Sequence, residues 1–123
     1  MGNFGITGLT PFLPAKDFDV SLKFYVDLGF RQLVQGDKAV LLGHSSFSFW
    51  LQDYYVKDWA ENCVLCLYVN NLEDWWSHLQ SMNLDVSYNA RAKLLGPPSE
   101  KEGAQMFHVI DPSGVLWHFR QSD

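Results

Sequence analysis

Cys63 and Cys66 form a C-x-x-C, a spacing that elsewhere makes a redox disulfide or half of a zinc site. Here both fall in the apolar run Cys63-Val64-Leu65-Cys66-Leu67-Tyr68-Val69, which reads as a buried strand. Residues three apart on a strand point to opposite faces, so the sulfurs cannot share a metal or a bond. A redox pair would also open a helix, and this one does not. Both are expected to be structural thiols. Of the four histidines, His118 alternates with Leu116 and Arg120 on a candidate strand, so those three share a face. His108 lies on the strand before it, in a phase the sequence leaves open. His44 in a turn and His78 on the polar side of a helix are expected in solvent. Rings are plentiful: aromatics make up 15% of the chain, with five Trp. Phe12, Trp50, Tyr54, Tyr55, Trp59 and Phe107 offer faces for stacking on a planar or cationic molecule. No Ser-His-Asp spacing, P-loop or G-x-G-x-x-G is present, and the glycines read as turn and cap residues.

The elements that must position these groups follow from periodicity. Ile6 to Leu13 reads as a strand, and Asp17 caps a helix over about Phe18 to Leu28, which Gly29 stops. Phe18, Leu22, Tyr25 and Leu28 make its apolar stripe. Arg31 to Gln35, Lys38 to Leu42 and Ser46 to Gln52 read as strands, separated by Gly36-Asp37 and Gly43-His44. Trp50 and Gln52 share their strand phase with Ser48. The order then repeats. Cys63 to Val69 is a strand, Asn71 caps a helix over about Leu72 to Met82, and Asn83 takes the left-handed site that Gly29 holds earlier. Leu84 to Tyr88, Ala104 to Ile110 and Val115 to Arg120 complete the predicted strands, the last two joined by Asp111-Pro112-Ser113-Gly114. Laying Thr10 on Val64 also lays Phe18 on Leu72, Leu22 on Trp76 and Leu28 on Met82, as an internal duplication would. The stretch from about Asn89 to Gly103 is the longest without a pattern and is expected to be a loop, a candidate lid. Trp76 belongs to the second helical stripe, and Trp75 falls at its edge or in a subunit contact.

A chain of 123 residues with 47% apolar content is enough for one domain and its core. The expected division is one module over about 6–52, a connector over 53–62 and a second module over about 63–121. The net charge of -5 argues against a nucleic-acid surface and suits a cationic ligand. No stretch approaches the roughly 20 apolar residues of a membrane span. The start lacks a signal-peptide layout, so a cytoplasmic protein with no membrane partner is expected.

Pro14-Ala15-Lys16-Asp17-Phe18-Asp19 followed by Phe24-Tyr25-Val26-Asp27-Leu28-Gly29-Phe30 resembles the first module of the vicinal oxygen chelate superfamily. Val109-Ile110-Asp111-Pro112-Ser113-Gly114-Val115-Leu116-Trp117-His118-Phe119 resembles its closing hairpin. That superfamily includes glyoxalase I, extradiol dioxygenases, fosfomycin-inactivating thiol transferases and bleomycin-resistance proteins. The resemblance runs from about Gly8 to Gln121. It implies an α+β fold of two βαβββ modules forming an incomplete barrel around a cleft, with a second subunit completing the pocket of a homodimer.

In the superfamily's metal-dependent members, His, Gln or Glu come from the first and last strand of each module. The matching positions here are Thr10, Trp50, Val64 and His118, with Gln52 as a substitute if the register moves by two. Only His118 is an ordinary metal ligand, so no metal and no cofactor are expected. The resemblance is then closest to the bleomycin-resistance proteins, which also lack the metal and hold a cationic drug in acidic, aromatic crevices of a dimer. They usually place a drug-stacking Trp before a Gly ahead of the seventh strand; here that position is Glu102, before Gly103. A different amphipathic or cationic guest is therefore expected, held by Thr10, Phe12, Trp50, Gln52, Val64, Phe107 and His118, with no catalytic residue. The alternatives are an enzyme of the glyoxalase or dioxygenase kind with an atypical site, and a ligand-sensing module without catalysis.

Overall fold

The computed structural model describes residues 2 and 4–122. Strand β1 (Phe12–Pro14) leads to helix α1 (Phe18–Leu28) and then to strands β2 (Arg31–Gln35), β3 (Ala39–His44) and β4 (Phe47–Gln52). A short helix α2 (Lys57–Glu61) follows. Strand β5 (Val64–Val69), helix α3 (Leu72–Ser81) and strands β6 (Lys93–Lys101), β7 (Ala104–Ile110) and β8 (Leu116–Gln121) then repeat the order β, α, β, β, β. The result is the expected α+β arrangement: two four-stranded sheets, ordered β1-β4-β3-β2 and β5-β8-β7-β6, neither closed into a barrel.

Local sequence explains the helices. The Asp17 carboxylate accepts the N–H of Val20, and Gly29 closes α1 at φ 126, returning its N–H to Tyr25 and Val26. Asn71 caps α3 in the same way, accepting from Asp74. Beyond that helix Asn83 takes φ 54, the left-handed turn for which Asn is the substitute for Gly.

One apolar cluster is shared by both sheets and both long helices. Phe24, Tyr25 and Leu28 of α1 and Leu72 and Leu79 of α3 reach it, with Val40, Leu42, Phe49 and Leu51 from the first sheet and Phe107, Val109, Trp117 and Phe119 from the second. Trp117 stands against Tyr25, Phe30 and Phe49 at ring separations of 5.7 to 6.2 Å, joining the closing hairpin to the first sheet. Trp76 packs edge-on to Phe107 at 5.2 Å, and Trp75 packs on Phe119 at 5.6 Å, so both tryptophans serve the domain's own packing. Because every second residue of β4, β5 and β8 enters this core, the residues between them populate a face of each sheet that no helix covers.

Two predicted strands are corrected. Ile6 to Leu13 is not a strand along its length: pairing begins at Phe12, and the preceding residues are exposed and belong to no strand. Gly5, Gly8 and Pro11 interrupt it, and among the described residues no strand lies alongside to pair with it. Leu84 to Tyr88 is not a strand either. It turns through Asn83 and enters a left-handed turn at Tyr88, Asn89 and Ala90, with φ of 53, 58 and 54. The strand instead occupies the predicted lid, at β6. Its Pro97-Pro98 fits because β6 is an edge strand and its pairing with β7 breaks register between Leu95 and Ser99, where no ladder N–H is required.

Candidate functional site

The first sheet offers an aromatic platform. β1 lies parallel to β4 with Phe12 opposite Trp50 and Pro14 opposite Gln52. Phe49 and Leu51 point into the core, so Ser48, Trp50 and Gln52 stand on the helix-free face. The Phe12 and Trp50 rings stack with centroids 6.0 Å apart and planes 16° from parallel. Phe12 is exposed and Trp50 half-buried, which leaves aromatic surface open to a flat molecule.

The second sheet offers a polar row. β8 alternates Trp117 and Phe119 inward with Leu116, His118 and Arg120 outward, as the sequence predicts. His118 is paired with His108 on β7, which fixes the phase the sequence left open. His108 Nε2 and His118 Nδ1 are 3.1 Å apart, with the rings edge to face at 4.4 Å. Burial lowers the His108 pKa below the ordinary imidazole value, and His118 and Lys101 push it the same way.

Register corrects the sequence alignment on the other side of His118. Its partner on β5 is Cys66, whereas Val64 lies opposite Leu116. β5 is an edge strand with one side in the core: Leu65, Leu67 and Val69 point in, and Val64, Cys66 and Tyr68 are exposed. Cys66 is therefore not a buried structural thiol, although Cys63 is half-buried and burial raises its pKa. The alternation of Leu65, Leu67 and Val69 carried that signal, masked by the apolar character of the whole run.

The predicted site residues thus separate. Phe12, Trp50 and Gln52 lie on the helix-free face of one sheet, and Val64 and His118 on that of the other. Thr10 sits in the exposed segment before β1. Phe107 is corrected: it stacks on Phe119 at 4.9 Å inside the core, because His108 takes the outward phase of β7. Glu102 occupies the exposed β6–β7 hairpin at φ 51. The sheets meet along a seam whose cavities are lined by neither Trp50 nor His118. One, of about 230 Å³, lies among Pro11, Phe47, Phe49, Cys66, Tyr68 and Trp117. The other, of about 340 Å³, continues past Phe47 and Tyr68 to His44 and Trp75.

The donors present do not fit a divalent metal of the superfamily's kind. The positions that the resemblance makes ligands carry Thr10, Trp50 and Val64, none of them an ordinary metal ligand, beside the single imidazole of His118. Among the described residues no three His, Cys, Asp or Glu converge on one point. No helix among them is long and apolar enough to cross a membrane.

The fold recurs in known proteins. A bleomycin resistance protein of Klebsiella pneumoniae is 25% identical over 116 residues, spanning 93% of this chain and 91% of that one. A bleomycin-binding protein solved in complex with bleomycin superposes with a TM-score of 0.80 at 22% identity, covering 96% of this chain and all of the other. Lactoylglutathione lyase from Agrobacterium tumefaciens shares the fold at a TM-score of 0.69 and 13% identity, over 95% of each chain. The sequence profile of one family matches residues 8–119, and the chain belongs to that family, the glyoxalase/bleomycin resistance protein/dioxygenase superfamily.

Proposed function

We propose that this protein binds a small amphipathic or cationic aromatic molecule reversibly and without a metal, in the manner of the bleomycin-resistance branch, in a pocket that a second copy of the chain completes. The observation that carries the reading is the Phe12–Trp50 stack, an aromatic platform open on the helix-free face of the first sheet. The net charge of -5 has the sign that favours a cationic guest. The second copy is argued from uncovered apolar surface. Phe4, Ile6 and Leu9 are 91%, 89% and 90% exposed, and Phe47 and Tyr68 at the seam are 73% and 66% exposed. Surface of that kind is rarely left to water in a monomer. The reading places the protein in the cytoplasm, where such a guest would be intercepted.

The test is a thermal-shift titration against cationic aromatic drugs, bleomycin included, and against zinc, nickel and manganese. A ligand at a hundredfold its Kd adds about 2.7 kcal/mol of stability, a shift of several degrees for a domain of this size. Stabilisation by a drug and by no metal supports the reading. Stabilisation by a metal alone sinks it. The His108–His118 pair favours one second reading, acid-base chemistry without a metal, which predicts turnover of a bound substrate that is lost in His118→Gln.

A further inference from the structure

The helix-free faces carry charge of one sign. Arg31 is in register with Gly43 and Gly43 with Ser48, which puts Arg31 on the side of Trp50. On the second sheet Arg120 shares the outward phase of His118. Lys93 is in register with Ile110, and Lys101 with Ala104, both in phase with His108. Among the described residues Glu100 is the only acid in any strand, and it pairs with Gln105, on the phase of Phe107 that turns toward the core. The other described acids lie on helices and in connections.

The basic end of the second sheet is also recessed. Met106, the register partner of Arg120, is buried without belonging to the apolar core. On a flat open face it would be wet. Arg120 itself is half-buried, and among the described residues the only ion pair is Lys23 with Asp27, so its guanidinium has no carboxylate partner. A partly desolvated, unpaired cation attracts an anion more strongly than one in free solvent. Burial, His118 and Lys101 all lower the His108 pKa, so the positive field of Lys101 reaches the adjoining row. Toward the other end of β8 the same face turns apolar, with Leu116 and Ile110 half-buried register partners. Arg120 and Leu116 are four residues apart, about 13 Å along the strand.

We propose that the guest of this face is an anion: a small aromatic carboxylate, its carboxyl group on the Arg120 guanidinium within the field of Lys101, and its apolar body lying past His118 toward Leu116 and Ile110. The arginine fork matches a planar carboxylate with two parallel hydrogen bonds. This assignment rests on the reading that the protein binds a small amphipathic molecule, and deepens it by fixing the sign of the guest. The net charge of -5 acts from a distance, where salt screens it beyond about 8 Å, whereas at the face the nearest side chains decide.

The probes are biphenyl-4-carboxylate, its neutral amide biphenyl-4-carboxamide, and the cation 4-phenylbenzylamine, titrated calorimetrically into the full chain at pH 7. The carboxylate is expected to bind at least tenfold more tightly than either of the others. In Arg120→Gln the ratio of carboxylate to amide affinity should fall toward one. An amine that binds as well as the carboxylate overturns the assigned sign and leaves reversible binding standing. A ratio unchanged in folded Arg120→Gln overturns the site. Should that variant fail to fold, the three affinities of the wild-type chain still decide the sign. Binding of none of the three overturns the anion site, and only a drug titration that is silent as well removes the reading beneath it.

Discussion

The Tyr25 hydroxyl donates to Asp111 Oδ2 at 2.5 Å, across a separation of 86 residues and with both side chains buried. The same hydroxyl accepts the Trp117 Nε1–H at 2.9 Å, while Asp111 Oδ1 accepts the N–H groups of Ser113 and Val115. The first helix is thereby bolted to the hairpin that closes the chain. Nearby, Ser21 and Ser113 share a 3.0 Å hydrogen bond. Burial raises the Tyr25 pKa, and the Asp111 charge raises it further, so the phenol stays a donor.

Tyr25→Phe removes one atom and leaves two buried polar groups, the carboxylate oxygen and the indole N–H, without partners. A loss of about 2–5 kcal/mol is expected. In urea the unfolding midpoint should fall with the slope unchanged. A midpoint equal to wild type would mean that the bolt is dispensable.

Burial also pushes the Asp111 carboxyl up from 3.8 to about 6, against the opposing pull of its four donors. A folded-state pKa above the unfolded one means that this group's contribution is greatest below pH 3.8 and is lost as pH rises through about 6. The full difference, from well below pH 3.8 to well above pH 6, amounts to about 3 kcal/mol. Asp111→Asn cannot ionise, so the gap in stability between pH 4 and pH 7 should shift by most of that amount, about 2 kcal/mol, relative to wild type. Denaturation curves at the two pH values measure it, and parallel behaviour of the two proteins would exclude the effect.

Trp50→Ala removes half of the aromatic stack from a face that no helix covers. Binding of whichever drug stabilises the protein should weaken about tenfold or more, with the apo melting temperature within a few degrees of wild type. Calorimetric titration reads this directly. Undiminished affinity would move the guest away from the first sheet.

Sedimentation equilibrium is expected to give the mass of two chains. Phe47→Asp combined with Tyr68→Asp puts charge on the exposed seam and should return the mass to one chain without unfolding it. A dimer that survives the pair must be joined elsewhere.

Two glycines allow a contrast. A Cβ at Gly96 would lie 2.6 Å from the Trp76 ring, which the core holds in place, whereas one at Gly43 would lie 2.5 Å from the flexible tip of Leu33, an exposed side chain. Gly96→Ala should cost about 1–3 kcal/mol. Gly43→Ala should stay within about 0.5 kcal/mol. Melting curves separate them, and equal effects would show that Trp76 yields as readily as Leu33.

Where short-range physics decides, the sequence was legible. Helix α1 begins after its Asp17 cap and ends before Gly29, and β2 spans the predicted Arg31–Gln35. The misses have tertiary causes. β1 is short because a strand exists only where a neighbour pairs with it, and β4 meets it only from Phe12. β6 was hidden by Pro97 and Pro98, which an edge strand with a bulge tolerates. At the site, the phase of β8 was readable because Trp117 and Phe119 flank His118. Cys66 sits in a run apolar on both sides, and around Phe107 the polar Gln105 and His108 fall on opposite phases, so alternation carries no contrast at either, and only register against β8 assigns them.

The helix-free faces have a consequence for how such a protein changes. Ser48, Trp50, Gln52, Cys66, His108 and His118 each project from a strand whose neighbouring residues carry the core. Their replacement alters what the surface presents while the packing beneath stays intact. A scaffold divided in this way can exchange one recognition surface for another by point substitution, each intermediate remaining folded, and a combinatorial library confined to those six positions would retain a high fraction of well-behaved members.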